Sequence, residues 1–520
     1  MTFRSIVFPA LCLVLPLFSA VRDDANAVIL SIQDLITHGE LDAANAKVSD
    51  ALKSDARNGG LYNLRGIIDI QQGRAADAET DFSKAIEYSP GLVSAYLNLG
   101  RVYQGRIDSD PSFERKALAI YQRALKLDPH SSEAHYELAL LLEWRGSFSE
   151  SLSHLSTLPP PEQKQARALA LRCADLAGMK RSEQARKAAQ ELAAAPDLQE
   201  QDVVAILPVL EHTGDAQITR ILIEGLSNRG LASIDSLAHL AAAYENLGQF
   251  APARQTLEHV AQAQPQNSKP LIDLARVAYK AGDREGALGY LAHARDLDPR
   301  NATIHFVFGI IALELKLPLE AKASVEKALE IDPERPDYNY GMAIVALHGH
   351  DTSESIPYFK KFLAEGGDKV RGHYGLGVAY FYGGNYEESK KEMIACLDSP
   401  ETSGGAHYIL ARIARRDGDF QEAESQIRQS IGKDGSYAEA HAELALILIH
   451  QRRYPEAQQE LDRAFQLDPN NFTGNTNQLV LYQRTKDERA AAQSEKLHAL
   501  EKKRDQLQEL LYRRIEVRPY

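Results

Sequence analysis

A small residue recurs at a fixed spacing along almost the whole of this 520-residue chain. Fourteen such residues follow one another, and every step is 34 residues except one of 39 between Ala78 and Ala117. A fixed period of this length is typical of helical repeat arrays, in which each unit is too small to bury its own apolar face. The pattern predicts an all-α solenoid of about thirteen to fourteen helix–turn–helix units, without β-sheet. The recurring residues are Ala44, Ala78, Ala117, Ser151, Ala185, Thr219, Ala253, Ala287, Ala321, Ser355, Ser389, Ala423, Ala457 and Ala491.

The unit at 268–301 shows the internal pattern of the repeat. Apolar residues recur at helical spacing from Leu271, and Gly282 then allows the left-handed turn that reverses the chain. A second apolar stripe begins at Ala287 and ends before Pro299, where the ring of proline stops the helix. Small residues allow two helices to approach to about 8–10 Å, which explains the alanine at the centre of each period.

Unit 93–131 carries large, glycine, aromatic, alanine and proline positions in a fixed order: Tyr96, Leu99, Gly100, Tyr103, Ala117, Tyr121, Ala124 and Pro129. This order resembles the tetratricopeptide repeat family, and similar residues recur through nearly all of the chain. The resemblance implies a right-handed superhelix of antiparallel helix pairs. It also implies that the first helix of each pair lines the concave face.

Departures from the repeat divide the chain into segments. Units at 25–131 are followed by degenerate units at 132–233, where the period persists but most of the pattern is lost. A regular array is predicted at 234–471, and 472–520 is predicted to hold a degenerate repeat with a charged helix. End repeats need a polar outer face, so this helix is interpreted as a cap. A docking helix for a partner is the alternative.

The first twenty residues form a separate segment. Arg4 precedes an apolar run from Ile6 to Phe18, and the small residues Ser19 and Ala20 follow it. This order is typical of a secretory signal peptide, because the apolar run is too short to span a membrane comfortably. We therefore expect a signal peptide at 1–20 and a secreted or periplasmic protein. An uncleaved N-terminal membrane anchor is the alternative, and no transmembrane segment is expected after it.

Charge and motif content narrow the function. A net charge of −13 and a pI near 5.7 argue against a nucleic-acid partner, which usually requires a basic face. The chain contains no phosphate-binding loop, zinc-protease motif, nucleophile elbow or paired Cys-x-x-Cys. No enzyme activity, cofactor or metal is therefore expected. Cys173 and Cys396 are predicted to be buried free thiols, because they lie too far apart in the array to pair.

Aromatic residues in the second half suggest a binding surface. Phe306, Tyr340, Tyr374 and Tyr408 lie 34 residues apart, at the position of the first helix that should face the groove. Aromatic and arginine side chains are favoured in binding hot spots. Packing against the neighbouring unit is the alternative role for this ladder. The candidate partner-binding residues are Arg276, Tyr279, Phe306, Tyr340, Tyr374, Phe381, Tyr382, Tyr408 and Arg412.

The leading hypothesis is a non-catalytic scaffold in the cell envelope that binds protein or peptide partners on the concave face. The alternative is a periplasmic component of a polysaccharide synthesis, export or secretion machine. Both hypotheses are compatible with the predicted fold, because a fold does not by itself fix a function.

Overall fold

The computed structural model describes residues 23–349 and 351–502. The predicted signal peptide and the end of the chain after residue 502 lie outside these residues. Within them, every regular element is a helix, and the α-solenoid class predicted from the 34-residue period is confirmed. Thirteen helix pairs and one further helix make up α1 to α27, and a short 3-10 helix at Glu162–Lys164 lies between α8 and α9.

The chain divides into two compact units, Met1–Thr256 and Leu257–Tyr520. Their border falls inside α14 (Phe250–Ala263), while the segment borders predicted from sequence stay predictions. The first unit contains α1 (Asp23–Thr37), α2 (Leu41–Ser54), α3 (Gly59–Gln71), α4 (Ala75–Tyr88), α5 (Val93–Gln104), α6 (Ser112–Leu127), α7 (Ser132–Trp144), α8 (Phe148–Ser156), α9 (Ala166–Gly178), α10 (Ser182–Ala194), α11 (Glu200–Thr213), α12 (Ala216–Ser227) and α13 (Ile234–Asn246).

The second unit begins within α14 and continues through helices of similar length. These are α15 (Lys269–Lys280), α16 (Arg284–Leu297), α17 (Ala302–Glu314), α18 (Pro318–Ile331), α19 (Pro336–His348), α20 (Thr352–Ala364), α21 (Lys369–Tyr382), α22 (Tyr386–Ile394), α23 (Ser403–Arg416), α24 (Phe420–Lys433), α25 (Ala438–His450), α26 (Tyr454–Leu467) and α27 (Phe472–Thr485). Residues 490–502 are also helical.

Short turns make each pair of helices a hairpin. Gly282, between α15 and α16, has φ +84°, a left-handed conformation that strains any residue with a Cβ. Asp283 follows it and accepts a hydrogen bond from the Gly286 amide at 2.8 Å, which caps the second helix. Second helices also pack on the first helix of the next hairpin, for example α18 on α19 and α20 on α21. Each unit is therefore a stack of hairpins.

The recurring small residues lie at the helix interfaces. Thirteen of the fourteen, from Ala44 to Ala457, are buried, and twelve of those have no exposed surface. Ala491 is exposed, so the last step of the sequence period continues beyond the packed hairpins. The packing is also close at Gly100. An added Cβ there would lie 2.3 Å from a ring carbon of the buried Tyr121. The period therefore records helix packing.

The sequence departures correspond to local changes in the hairpins. The 39-residue step between Ala78 and Ala117 contains a longer turn, which includes Ile107 and joins α5 to α6. The proline run after Leu158 follows the shortened α8, whereas α11 continues through Pro208. In this degenerate segment α9 packs on α11 and α10 packs on α12. Cys173 and Cys396 are buried free thiols, which confirms the sequence expectation.

Candidate functional site

The first helices of the second unit position the four-residue aromatic ladder. Phe306 lies in α17, half-buried, with its ring 4.8 Å from that of Tyr338 in the next hairpin. A Cβ on Gly341 would lie 2.4 Å from the Phe306 ring, so that glycine makes room for it. The ring therefore packs between consecutive hairpins.

Tyr374 and Tyr408 make the same kind of contact further along the ladder. A Cβ on Gly405 would lie 2.2 Å from the Tyr374 hydroxyl, and burial raises the pKa of Tyr374. The Tyr408 ring lies 5.2 Å from that of Tyr437, and burial raises the pKa of Tyr408 to about 12. Both tyrosines are neutral at physiological pH. Part of each ring packs between hairpins, and only the remaining part is accessible to a ligand.

Tyr340 packs within its own hairpin. Its ring lies 5.0 Å from Phe362 and 5.7 Å from Phe359, both in α20. The guanidinium of Arg371, from the first turn of α21, lies 4.4 Å from the centre of the same ring. Arg371 was missed in the sequence analysis, although it lies three residues before Tyr374 and on the same side of the helix. A half-buried ring with a cation over it links two neighbouring hairpins.

Five of the predicted residues converge where α21 meets α23. The Arg412 guanidinium lies 4.6 Å from the ring centre of Phe381, 5.6 Å from that of Tyr408 and 6.0 Å from that of Tyr382. Phe381 is only 9% exposed, whereas Tyr382 beside it is 59% exposed. Tyr374 packs on the same apolar core as Phe381 and Tyr408. We call Tyr374, Phe381, Tyr382, Tyr408 and Arg412 the aromatic–arginine cluster.

The remaining two predicted residues lie apart from this cluster, in α15. The Tyr279 hydroxyl donates a hydrogen bond to Glu314 at 2.7 Å, and this bond raises the pKa of Tyr279. Arg284 donates to the other oxygen of the same carboxylate at 2.7 Å. Arg276 forms an ion pair with Asp273 at 2.7 Å. These contacts are polar and involve only α15, α16 and α17, so they form a charged surface separate from the aromatic–arginine cluster.

Two buried carboxyl groups in the first unit were also missed by the sequence analysis. Asp175 in α9 has no exposed surface, and burial raises its pKa to about 8, with the charge of Glu143 adding to the effect. Burial also raises the pKa of Glu143, in α7, to about 7. The Ser151 hydroxyl acts on the Asp175 pKa in the opposite direction. Both groups are buried, so neither is a candidate ligand-binding residue.

The buried ion pair of Arg101 is explained by helix packing. Arg101 is 4% exposed and donates from Nε to Glu137 at 2.8 Å, with Glu133 as a second carboxylate partner. A buried guanidinium paired in this way joins α5 to α7. Over residues 23–349 and 351–502, no three His, Cys, Asp or Glu side chains are grouped as metal ligands.

Family models for tetratricopeptide repeats match four stretches of the chain, at residues 115–173, 247–305, 302–335 and 408–472. Together with the stacked helical hairpins and the buried small residues, these matches decide the family. The chain is a tetratricopeptide repeat protein. The last matched stretch begins at Tyr408 and includes Tyr408 and Arg412, whereas the three α21 residues of the aromatic–arginine cluster precede it.

Several solved structures resemble the chain, and one of them is described as a tetratricopeptide repeat protein. A protein from Parabacteroides merdae ATCC 43184 is 17% identical and covers 47% of this chain and 96% of its own, with a TM-score of 0.43. Yeast Tom70 is 15% identical and covers 88% of this chain and 96% of its own, with a TM-score of 0.39. The Cut9–Hcn1 hetero-tetramer is 12% identical, with coverage of 88% and 96% and a TM-score of 0.35. No curated protein matches the chain. These values are too low to transfer any relative's function.

Proposed function

We propose that this protein is a non-catalytic scaffold that binds a peptide segment of a partner protein at the aromatic–arginine cluster. One observation carries the proposal. Two neighbouring first helices place a guanidinium against three rings, and one of those rings, Tyr382, remains 59% exposed. Large exposed aromatic side chains beside arginine are typical of binding hot spots.

The cluster is also held in place before any ligand arrives. Phe381 packs edge-on against Tyr382 at 5.4 Å and against Tyr386 at 5.7 Å, both between ring centres. The Arg416 guanidinium lies over the same Tyr386 ring, 3.8 Å from its centre. Preformed contact surfaces lose little conformational entropy on binding, so more of the contact energy appears as affinity. The repeat stack thus supplies a rigid support for recognition.

We further propose that the protein acts in the cell envelope after export. The order of a positive residue, an apolar run and small residues at the N-terminus supports this proposal. Within the part of the chain that the structure describes, no helix has the length and apolar character needed to cross a membrane. A fusion of the first thirty residues to alkaline phosphatase tests export, because that enzyme becomes active only after translocation. An inactive but stably expressed fusion would refute the export proposal.

A crosslinking pull-down tests the binding proposal. The full chain, expressed in its host, is compared with the double variant Tyr382→Ala, Arg412→Gln, and both captures are identified by mass spectrometry. Leu319→Ala is the matched control, since it removes a 76% exposed apolar side chain from α18, which is a second helix. We expect partner recovery to fall roughly tenfold or more in the double variant and to stay unchanged in the control.

Circular dichroism and the melting temperature must match between the variants, so that loss of capture reports the surface. Equal recovery of every partner by the folded double variant would refute the cluster as the binding site. Analysis of bound glycans in the same capture tests the polysaccharide alternative. Glycan retention without a protein partner would replace the scaffold proposal.

A further inference from the structure

Arg412 differs from its neighbours in α23 in having no acidic partner. Arg415 donates from Nε to Glu443 at 2.5 Å, and Arg416 lies 3.1 Å from a carboxylate oxygen of Asp417. Among the described residues, no carboxylate forms an ion pair with Arg412. Glu443, whose charge also acts on Arg412, is already bonded to Arg415. The chain carries 72 acidic residues, so a shortage of carboxylates does not explain this.

The Tyr382 hydroxyl is a hydrogen-bond partner of Arg412, and the other donor atoms of the guanidinium have no partner among the described residues. A guanidinium has a flat face that stacks on rings and an edge of five N–H donors. The face of Arg412 lies over Phe381, with the Tyr408 ring close by. Ring contacts of this kind do not satisfy N–H donors as a carboxylate does. A partly buried guanidinium with this arrangement is matched best by a carboxylate from outside the chain, which it can bind with two parallel hydrogen bonds.

A second arginine repeats the arrangement on the neighbouring hairpin. Arg371 is exposed, lies over the Tyr340 ring at 4.4 Å, and forms no ion pair with any described carboxylate. Two stacked, unpaired guanidiniums therefore stand on consecutive first helices. In a chain of net charge −13 they form a local exception to the acidic surface.

We infer that the cluster binds a peptide segment with an Asp or Glu carboxylate beside an aromatic or large apolar side chain. Arg412 receives the carboxylate, and Tyr382 contacts the apolar neighbour. The net negative charge of the chain favours a peptide with one or two acidic groups over a polyanion, because repulsion grows with ligand charge. This inference rests on the proposed function and gives the ligand its chemistry.

Selection from a displayed library of random peptides tests it on the full chain. Wild type, Arg412→Gln, Tyr382→Ala and Arg428→Gln are each immobilised, and the recovered pools are sequenced. Arg428 is the matched control, because it changes the charge equally but pairs with Glu424 on the second helix α24. We expect the wild-type and Arg428→Gln pools to be enriched in Asp and Glu next to aromatic residues. The Arg412→Gln pool should lose the acidic enrichment and keep the aromatic one.

A selected peptide and its amide twin, with Asp or Glu changed to Asn or Gln, give the quantitative test. Fluorescence anisotropy should show roughly tenfold weaker binding for the amide twin, the same loss for Arg412→Gln, and no further loss when both are combined. Equal acidic enrichment in the Arg412→Gln pool would refute the inference.

The remaining outcomes separate the two proposals. An aromatic pool that lacks acidic residues but depends on Tyr382 would overturn the inference and leave the proposed function standing. Failure of every variant to select peptides would overturn both. Capture of phosphatidylglycerol vesicles or RNA through Arg412, without selected peptides, would assign the cluster to a different ligand and refute the inference.

Discussion

The buried carboxyl group of Asp175 makes the stability of the first unit depend on pH. Its pKa is about 8 in the folded protein and 3.8 in an unfolded chain. The folded carboxyl therefore keeps its proton over a pH range in which the unfolded one has lost it. Because the folded state then binds more protons, the free energy of unfolding falls as pH rises from about 4 to about 8. The stabilising protonated form is fully effective only below this range.

The size of the effect follows from the pKa difference. One pKa unit corresponds to about 1.4 kcal/mol, so Asp175 lowers the free energy of unfolding by about 4 kcal/mol between pH 4 and pH 7. Neither carboxylate oxygen has a partner within hydrogen-bonding distance among the described residues, and the Ser151 hydroxyl offsets only part of the effect of burying the charge. Glu143, with its pKa raised to about 7, contributes a decline of the same sign that begins near its unfolded pKa of 4.5.

We predict that Asp175→Asn removes most of this decline. The amide has nearly the same shape and does not ionise, so it flattens the pH profile and stabilises the first unit near neutral pH relative to wild type. An unsatisfied buried amide costs about 1–3 kcal/mol, but that cost is the same at every pH. The slope of the profile, and not its absolute height, is therefore the diagnostic quantity.

Hydrogen exchange measured by mass spectrometry on peptides covering α9 provides the assay. Local measurement is needed because repeat arrays unfold in parts, so a single global transition does not report one site. Asp296→Asn, at an exposed position of α16, is the control and should leave the profile of α9 unchanged. If the wild-type stability of α9 does not fall between pH 5 and pH 7, or falls equally in Asp175→Asn, the reasoning from burial is wrong.

Three further predictions follow from the packing. Ala457→Leu should destabilise the second unit by about 1–3 kcal/mol, because the larger side chain overfills a buried helix interface. Ala491→Leu, at the exposed last step of the period, should change stability little. Urea unfolding compares the two variants. Gly100→Ala should lower the melting temperature, because its methyl group would meet a tyrosine ring at 2.3 Å; an unchanged melting temperature would contradict that geometry. Burial raises the pKa of Cys173 to about 12 and of Cys396 to about 11, so both thiols should resist Ellman's reagent in the native protein at pH 8 and react fully in denaturant.

Most of the fold was predictable from the sequence because its determinants are local and periodic. Gly282 adopts the left-handed turn expected of it, and the buried small residues identify the interfaces in order. Ala491 shows the limit of the method: the spacing continues there, but the residue is exposed. A sequence period shows where small residues lie on a helix, whereas their burial depends on whether another helix packs against that face.

The candidate site was predictable only in part. Sequence placed Phe381 and Tyr382 together on one surface, but adjacent residues on a helix point about 100° apart, and one is buried while the other is exposed. Arg412 was recognised as a neighbour of the aromatic residues, while its lack of an ion pair is visible only in three dimensions. Asp175 gave no signal at all, because an isolated acidic residue in a helix is usually solvated.

The constant distance between interface residues also limits how such a chain can change in length. Suppose that one whole 34-residue period is removed from within the segment 268–471. The deletion joins two hairpins whose contacting faces are nearly equivalent, so the new junction resembles the old ones. Removal of one residue fewer turns the helix after the junction by about 100° relative to the part before it, so the apolar stripes at the junction no longer face each other. Gene duplication or loss is therefore tolerated in whole hairpins, and a recognition surface confined to two of them can be moved along the array without being redesigned.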